Sequence, residues 1–271
     1  MPAISIITIS FNQLDFLAAC VDSVQSQEFA DYEHIIVDPG STDGSRDWLA
    51  TQSDPRIRVI LKSDNGPAQG LNNGLAAATG GIVVYLNSDD EFAPGALARI
   101  HELHAEHPSV DLIIGDGWTI DGRGEPISYI RSDRFSPWRY AIGIGTVLQQ
   151  STSIKRNLIE SGLRFNEENR FNWDTELLFD ARQLGAKLLN VGDTIGYFRL
   201  HEASITMSGK YEAGLARERE RLYARGRGAI SPRLVSTVSL PARALKKIKN
   251  SARDLANRPK FPGLARASDT Q

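Results

Sequence analysis

The sequence predicts an α/β fold: a parallel sheet of consecutive βαβ units over residues 1–115, a mixed α+β half over 116–210, and a basic, partly helical tail over 211–271. Three observations predict it. Up to about residue 115, short β-branched runs alternate with segments whose apolar residues recur at helical spacing. Beyond that point the alternation loosens into hairpin-like and irregular patterns. After Tyr211 the charge balance reverses: residues 217–271 carry 14 Lys+Arg against 4 Asp+Glu, and the rest of the chain carries 17 against 29.

The elements follow in order. Ile4–Ile9 reads as a first strand, and Leu14–Gln25 as a helix with Leu14, Leu17, Val21 and Val24 on one face. Residues 34–38 form a second strand, after which Ser41-Thr42-Asp43 supplies N-cap chemistry for a helix running to Ala50. A third strand spans 56–61, followed by a Gly-rich turn and an Ala-rich helix around 69–78. Residues 81–86 are a continuous apolar run, the pattern of a strand buried on both faces. Pro94 opens a helix carrying Leu97, Ile100 and Leu103 that ends near Pro108.

A fifth strand is expected over 111–115, and a hairpin over 119–130 turns through Asp121-Gly122. Residues 132–145 are aromatic but unpatterned, as in a loop with short helices over a site. Residues 147–154 predict a strand, 174–184 a helix, and 187–191 with 195–200 two more short strands. In the tail, Pro241 opens a helix in which Leu245, Ile248, Ala252 and Leu255 share a face beside Lys246, Lys247, Lys249 and Arg253. That face is a candidate peripheral membrane contact over 240–258, with a solvated tail as its rival. The end of the tail, interrupted by Pro259 and Pro262, reads as partly unstructured.

Composition narrows the class. The 271 residues are 41% hydrophobic and 24% charged with a net charge of −2, which suits a globular protein and excludes a nucleic-acid binder relying on bulk positive charge. Cys20 is the only cysteine, so an intramolecular disulfide or multi-thiolate metal site is excluded and a reducing, cytoplasmic setting is expected. It lies on an amphipathic helix and reads as a buried apolar group. The start of the chain has no cationic leader-like region, and no stretch approaches the roughly 20 apolar residues of a membrane helix. His101, His104 and His107 recur every three residues among glutamates, as on a solvated helix face.

In a parallel α/β sheet, ligands bind beyond the carboxyl ends of the strands. Those ends carry Ser10, Phe11 and Asn12; Asp38; Lys62, Asp64, Asn65 and Gly66; and Asn87, Asp89 and Asp90. Together they predict a polar crevice. Adjacent carboxylates at the end of a buried strand repel one another, and a divalent cation with oxygen ligands offsets that cost, whereas helix capping before Pro94 is the plainer alternative. No glycine-rich dinucleotide fingerprint follows the first strand and no P-loop occurs.

The segments Ser5-Ile6-Ile7-Thr8-Ile9-Ser10-Phe11-Asn12, Ile36-Val37-Asp38-Pro39-Gly40-Ser41-Thr42-Asp43-Gly44-Ser45, Asp64-Asn65-Gly66 with Leu71-Asn72-Asn73-Gly74, and Leu86-Asn87-Ser88-Asp89-Asp90 resemble the family 2 glycosyltransferases of GT-A fold, over residues 3 to about 206. The resemblance implies a Rossmann-type nucleotide-binding half joined to an acceptor half. It implies transfer, with inversion, of a sugar from a nucleotide-diphosphate donor, UDP-linked by expectation, to a glycan or lipid-linked acceptor in cell-surface polysaccharide, lipopolysaccharide or glycolipid synthesis. Ser10, Asn12, Asp38, Asp64, Asn72 and Asp89 would meet the nucleotide. Asp89, Asp90 and His201 would hold Mn²⁺ or Mg²⁺.

Asn87 replaces the first carboxylate of the family's D-x-D motif, so metal binding rests on the two aspartates, with Asn87 assisting only through its amide oxygen. Pro39 replaces the second aspartate of the Asp-Asp-Gly-Ser turn, which places recognition on Asp38. Trp173-Asp174 matches the family's catalytic element, making Asp174 the expected base, Glu176 its rival, and N-capping the structural alternative. Phe198-Arg199-Leu200-His201 resembles the closing motif that meets the diphosphate, and Gln149-Gln150-Ser151-Thr152 resembles an acceptor-side strand from which Gln150 would act. A sugar nucleotidyltransferase would share the sheet and the carboxylates but place a Gly-rich loop after the first strand, where Ser10-Phe11-Asn12-Gln13 stands. A non-catalytic binding protein on the same fold is the other alternative.

Overall fold

A computed structural model describes residues 1–204, 207–256 and 259–264. In chain order its elements are β1 (Ile4–Ile9), α1 (Leu14–Gln25), β2 (Tyr32–Asp38), α2 (Ser45–Ala50), β3 (Ile57–Leu61), α3 (Pro67–Ala77), β4 (Ile82–Asn87) and β5 (Glu91–Phe92). They continue as α4 (Ala96–Glu106), β6 (Leu112–Ile120), β7 (Pro126–Ile130), α5 (Pro137–Ala141), β8 (Thr152–Lys155), α6 (Arg156–Glu160), α7 (Trp173–Gln183), β9 (Leu188–Arg199), α8 (Glu212–Arg227) and α9 (Pro232–Ala256).

One sheet runs β3-β2-β1-β4-β8-β6-β9-β5, with β7 beside β6. The first four positions are parallel, as the early βαβ pattern predicts, so Ile9, Asp38, Leu61 and Asn87 end on the same edge. β8 then runs antiparallel between β4 and β6, and this change of direction marks the second half. β1 and β4 are apolar because both faces are covered: Ile7, Val83 and Tyr85 join the α3 and α7 side, while Ile6, Val84 and Leu86 join the α1 and α4 side. Each fully buried aliphatic side chain of this kind contributes about 1.5–3 kcal/mol. α3 lies close on β1 because Gly74 has no side chain, and a Cβ there would collide with Ile7.

Several expectations are corrected. The two short strands expected over 187–191 and 195–200 are limbs of one strand, β9. Against β6 the register steps from Ile114↔Asn190 to Asp116↔Thr194, so a bulge in β9 breaks the sequence pattern without ending the strand. The strand expected over 147–154 is a 3₁₀ turn, Gln149–Ser151, followed by the shorter β8. The two-residue β5 and the helix α6 lie below the length at which periodicity is readable. His104 is buried rather than on a solvated face, with Nε2 2.9 Å from Ser153 Oγ, and burial lowers its pKa to about 4. Cys20 is buried, as expected.

The tail also differs. α8 belongs to the main body, since Leu222 is fully buried in the largest apolar cluster, and a boundary at residue 210 therefore cuts through a shared core. Pro241 lies inside α9 instead of opening it; α9 is an exposed helix, where water can take the backbone carbonyl that proline leaves unpaired. The side chain of Leu255 and residues 265–271 lie outside the described residues.

Candidate active site

The carboxyl edge of β1, β2 and β4 collects polar groups, and their hydrogen bonds divide them into two kinds. Ser10 is buried and its hydroxyl has no partner among the described residues. Asp38 is fully buried: Oδ1 accepts from Gly40 N (2.8 Å), Ser41 N (2.8 Å) and Arg46 Nε (3.0 Å), while Oδ2 has no partner. Burial pushes its pKa up, but the bonds from Ser41, Gly40 and Arg46 outweigh it and hold the carboxyl below its ordinary value. The result is an ionised carboxylate with one unused oxygen. A buried polar atom left in that state costs about 1–3 kcal/mol, a cost that a ligand donor removes.

The loops around Asp38 are stitched together. Asn12, the non-glycine residue with φ of +52°, accepts from Thr42 N through Oδ1 (2.8 Å) and donates its own N–H to Ser41 Oγ (2.9 Å). Asp43, from the expected capping cluster, accepts from Leu14 N at the start of α1 (2.8 Å) and from Ser45 N at the start of α2 (3.0 Å). Across the edge, Asp64 Oδ1 accepts from Gly66 N (2.9 Å), and Gly70 leaves the space its other oxygen occupies. Burial raises the Asp64 pKa against the Gly66 N–H, and the charges of Asp38 and Glu167 add to the rise.

At the end of β4, His201 Nε2 donates to Asp89 Oδ2 at 3.0 Å, and Phe16 packs its ring 4.3 Å from the imidazole. Beside this pair, Asn87 donates to Asp90 Oδ2 (3.1 Å) and Gln149 Oε1 (3.2 Å), leaving its own buried Oδ1 without a partner. No cluster of three or more His, Cys, Asp or Glu placed to hold a metal occurs among the described residues. The Asp89 carboxylate and the Asn87 amide oxygen, unpaired among the described residues, nevertheless suit a Mg²⁺ or Mn²⁺ ion, which takes its remaining ligands from substrate phosphates and water, while His201 Nε2 is spent on Asp89 here.

Five expected site residues are committed elsewhere. Asp90 is fully buried: Oδ1 accepts from Arg199 N (3.0 Å), and Oδ2 accepts from Asn87 and Gln150. Burial, and then the charge of Asp89, raise its pKa well above the ordinary value. Gln150 therefore supports Asp90 instead of lining the acceptor side. Arg199 is 3% exposed, with its guanidinium shared among Glu91, Asp89 O (2.9 Å) and Asp121 O (3.0 Å), so it holds the metal-side turn from behind and does not face a diphosphate. Asn72 clamps the 165–167 loop, accepting from Phe165 N (3.0 Å) and donating to Phe165 O and Glu167 (both 2.9 Å).

Glu176 is likewise taken. Arg221 grips it with two bonds (2.8 and 2.5 Å), Asn169 adds a third (2.7 Å), and these outweigh burial to hold its pKa below the ordinary value. Asp174, two residues earlier, differs. It sits in the first turn of α7 with Asn172 at the N-cap, and its carboxyl has no side-chain partner among the described residues. Burial raises its pKa against the N–H groups of Thr175 and Asp174 itself. Its charge is felt by Tyr85, at the end of β4, and by Tyr140 of α5.

Sequence reasoning missed Gln149, whose Nε2 donates to Tyr85 O (2.8 Å) while Oε1 orients Asn87. Gln149 and Gln150 are adjacent and chemically identical, so only the 3₁₀ turn separates their roles. Asn73, beside Asn72 on α3, accepts from Lys62 Nζ through Oδ1 (2.7 Å), and its buried Nδ2 has no partner among the described residues.

Known proteins bear on this arrangement. The profile described as glycosyl transferase family 2 matches residues 5–200. An uncharacterized glycosyltransferase of Nostoc sp. is 28% identical over 221 residues, covering 76% of this chain and 67% of its own length. A GalNAc(5)-diNAcBac-PP-undecaprenol beta-1,3-glucosyltransferase of Campylobacter jejuni is 36% identical over 104 residues, which span 37% of this chain and only 34% of that protein. Among solved structures, residues 1–349 of Staphylococcus aureus TarS with UDP-GlcNAc superpose with a TM-score of 0.67 at 21% identity, over 86% of this chain and 69% of that one. A Pyrobaculum calidifontis mannosyltransferase with GDP-Man and Mn²⁺ superposes with a TM-score of 0.61 at 17% identity, over 93% and 80%. At those identities the two structures speak to fold, and the fold is that of the GT-A glycosyltransferases.

Proposed function

This chain belongs to glycosyl transferase family 2, and from that premise we propose that it moves a sugar, with inversion, from a nucleotide-diphosphate donor to an acceptor hydroxyl. The observation that carries the reading is the set of unused atoms along one edge: Ser10 Oγ, Asp38 Oδ2 and Asn87 Oδ1, beside the Asp89–His201 pair. Asp38 accepts from an N–H of the base, with Ser10, Asn12 and Asp64 around the base and ribose. Asp89 would hold a Mg²⁺ or Mn²⁺ ion, joined by His201 once its Nε2 bond to Asp89 is given up, and the ion would supply positive charge to the diphosphate.

Asp174 takes the proton from the acceptor hydroxyl. Burial and the absence of a side-chain partner among the described residues favour that role: a raised pKa makes the carboxylate a stronger base, and only the N–H groups of Thr175 and Asp174 itself bond its oxygens there. Glu176, neutralised by Arg221, cannot do the same. Arg199, Asp90 and Gln150 support the turn that presents Asp89.

The donor is UDP-linked on this reading, with the TarS complex with UDP-GlcNAc as its support, and the acceptor is a glycan or lipid-linked saccharide, supported by the Campylobacter relative. The test is product formation with a panel of UDP-, GDP- and dTDP-sugars and short lipid-linked saccharides, with and without Mn²⁺. Transfer from one UDP-sugar that requires metal supports the proposal; donor hydrolysis and transfer both absent across the panel would contradict it.

A further inference from the structure

α9 is 25 residues long, yet the body covers only one of its faces. Val235, Ser239, Ala242, Lys246 and Asn250 turn inward and are partly covered. At 100° per residue, Leu234, Val238, Pro241, Leu245, Ile248 and Ala252 fall within a sector of about 80° on the outer side. All six are exposed, Leu245 by 53% and Ile248 by 65%. Lys249 stands about 20° beyond this stripe on one side and Arg233 about 60° beyond it on the other, whereas Arg253, whose charge acts on Asp116, and Lys247 lie further round towards the body. Pro232–Ala256 holds six cationic residues and one acid, Asp254, which is already paired with Arg131 at 2.7 Å.

A continuous apolar stripe in water is unfavourable, and its charged border selects what can cover it. A second copy pairing through α9 would set two cationic borders against each other. No helix among the described residues is long and apolar enough to cross a membrane, so insertion as a span is excluded for α9. What remains is a helix lying in the plane of an anionic surface, its apolar face among acyl chains and its cations at lipid phosphates.

We propose that α9 docks this protein on an anionic lipid bilayer, with Leu234, Val238, Leu245 and Ile248 entering the interface and Arg233 and Lys249 meeting headgroup phosphates. The helix is held firmly enough to orient the body. Lys246 Nζ bonds Asp133 Oδ2 (2.7 Å) and Thr146 Oγ1 (3.1 Å), and Arg131 bonds Asp254. Beyond the helix, Phe261 packs 5.5 Å from Trp118 and 5.1 Å from Tyr197, whose hydroxyl donates to Gly263 O (2.8 Å). The segment pinned by Lys246 leads along the chain to Gln149, which bonds Asn87. The docking does not depend on which sugar is moved or to what, because it is measured by partition and not by turnover.

The test is flotation of the full chain with vesicles of phosphatidylglycerol mixed with phosphatidylcholine, and with phosphatidylcholine alone. The protein should float with the mixed vesicles, and partition should fall about tenfold on neutral vesicles or at high salt. Leu245→Glu/Ile248→Glu should lose about tenfold or more, with an unchanged melting temperature because both side chains are exposed. Arg233→Glu/Lys249→Glu should lose binding to the mixed vesicles similarly. Failure of the wild-type chain to float with either vesicle, or wild-type partition in both double variants, would overturn the proposal. So would a concentration-dependent dimer in sedimentation velocity that Leu245→Glu/Ile248→Glu abolishes, since the stripe would then belong to a second copy.

Discussion

Asp89 and Asp90 are neighbours in the chain and opposites in the structure. Asp89 faces the crevice with His201, beside an unused Asn87 oxygen, whereas Asp90 is fully buried with its oxygens taken by Arg199, Asn87 and Gln150. The same contrast recurs between Asp174 and Glu176 on α7, and between Asn73 and Asn72 on α3. One region of polar groups is left incomplete and the other is closed on itself. Incomplete buried groups cost stability unless something else binds them, so they mark the ligand; closed groups mark the frame that presents them.

Substitutions should therefore separate activity from stability. The largest effect is expected for Asp174→Asn, which should lower kcat by about 10²- to 10⁴-fold while leaving donor affinity and melting temperature near wild type. Retained turnover would remove Asp174 as the base. On the closed side, Arg199→Met removes the buried guanidinium that bonds Glu91, Asp89 O and Asp121 O and should destabilise by about 3–5 kcal/mol in urea denaturation. A smaller loss would mean that Arg199 is free enough to meet the ligand.

Asp38→Asn should affect both properties, because Oδ1 serves the fold and Oδ2 is open. Donor binding should weaken by about 1.5–3 kcal/mol, with a smaller loss of stability. Asn72→Ala sits at the small end: about 1 kcal/mol of stability from the released 165–167 loop, with Kd for the donor unchanged. A large rise in that Kd would return Asn72 to the nucleotide site.

The two acids on α7 also predict opposite pH behaviour. Asp174 must be ionised to accept a proton and its pKa is raised by burial, so activity should fall as pH drops through a value above the ordinary aspartate range. Glu176 has a folded pKa below its unfolded one. Its stabilising pairing with Arg221 is present above the unfolded value and is lost as pH falls through the folded value. A kcat/KM profile beside a stability profile, each repeated on Glu176→Gln, would assign the two limbs.

What was legible in the sequence were elements and strand ends. β1, β4 and α1 declare themselves through uninterrupted local patterns, and the parallel topology places Ser10, Asp38 and Asn87 on one edge whatever the loops do. Commitment was not legible, because it is decided by partners far along the chain. Gln150 reaches Asp90 across 60 residues, Arg199 reaches it across 109, and Arg221 reaches Glu176 across 45. No local spacing reports such contacts, so the sequence alone does not separate Asp89 from Asp90 as metal ligands. The bulge that divides β9 and the proline inside α9 misled for a related reason: each interrupts a pattern that the surrounding structure continues.

The claim that the incomplete edge is a metal and nucleotide site is tested most directly by calorimetric titration of UDP with and without Mn²⁺, in the wild-type chain and in Asp89→Ala. The account predicts that tight binding in the wild type requires Mn²⁺, and that Asp89→Ala abolishes the Mn²⁺ dependence without lowering the melting temperature. Equal, Mn²⁺-stimulated affinity in both chains would contradict it.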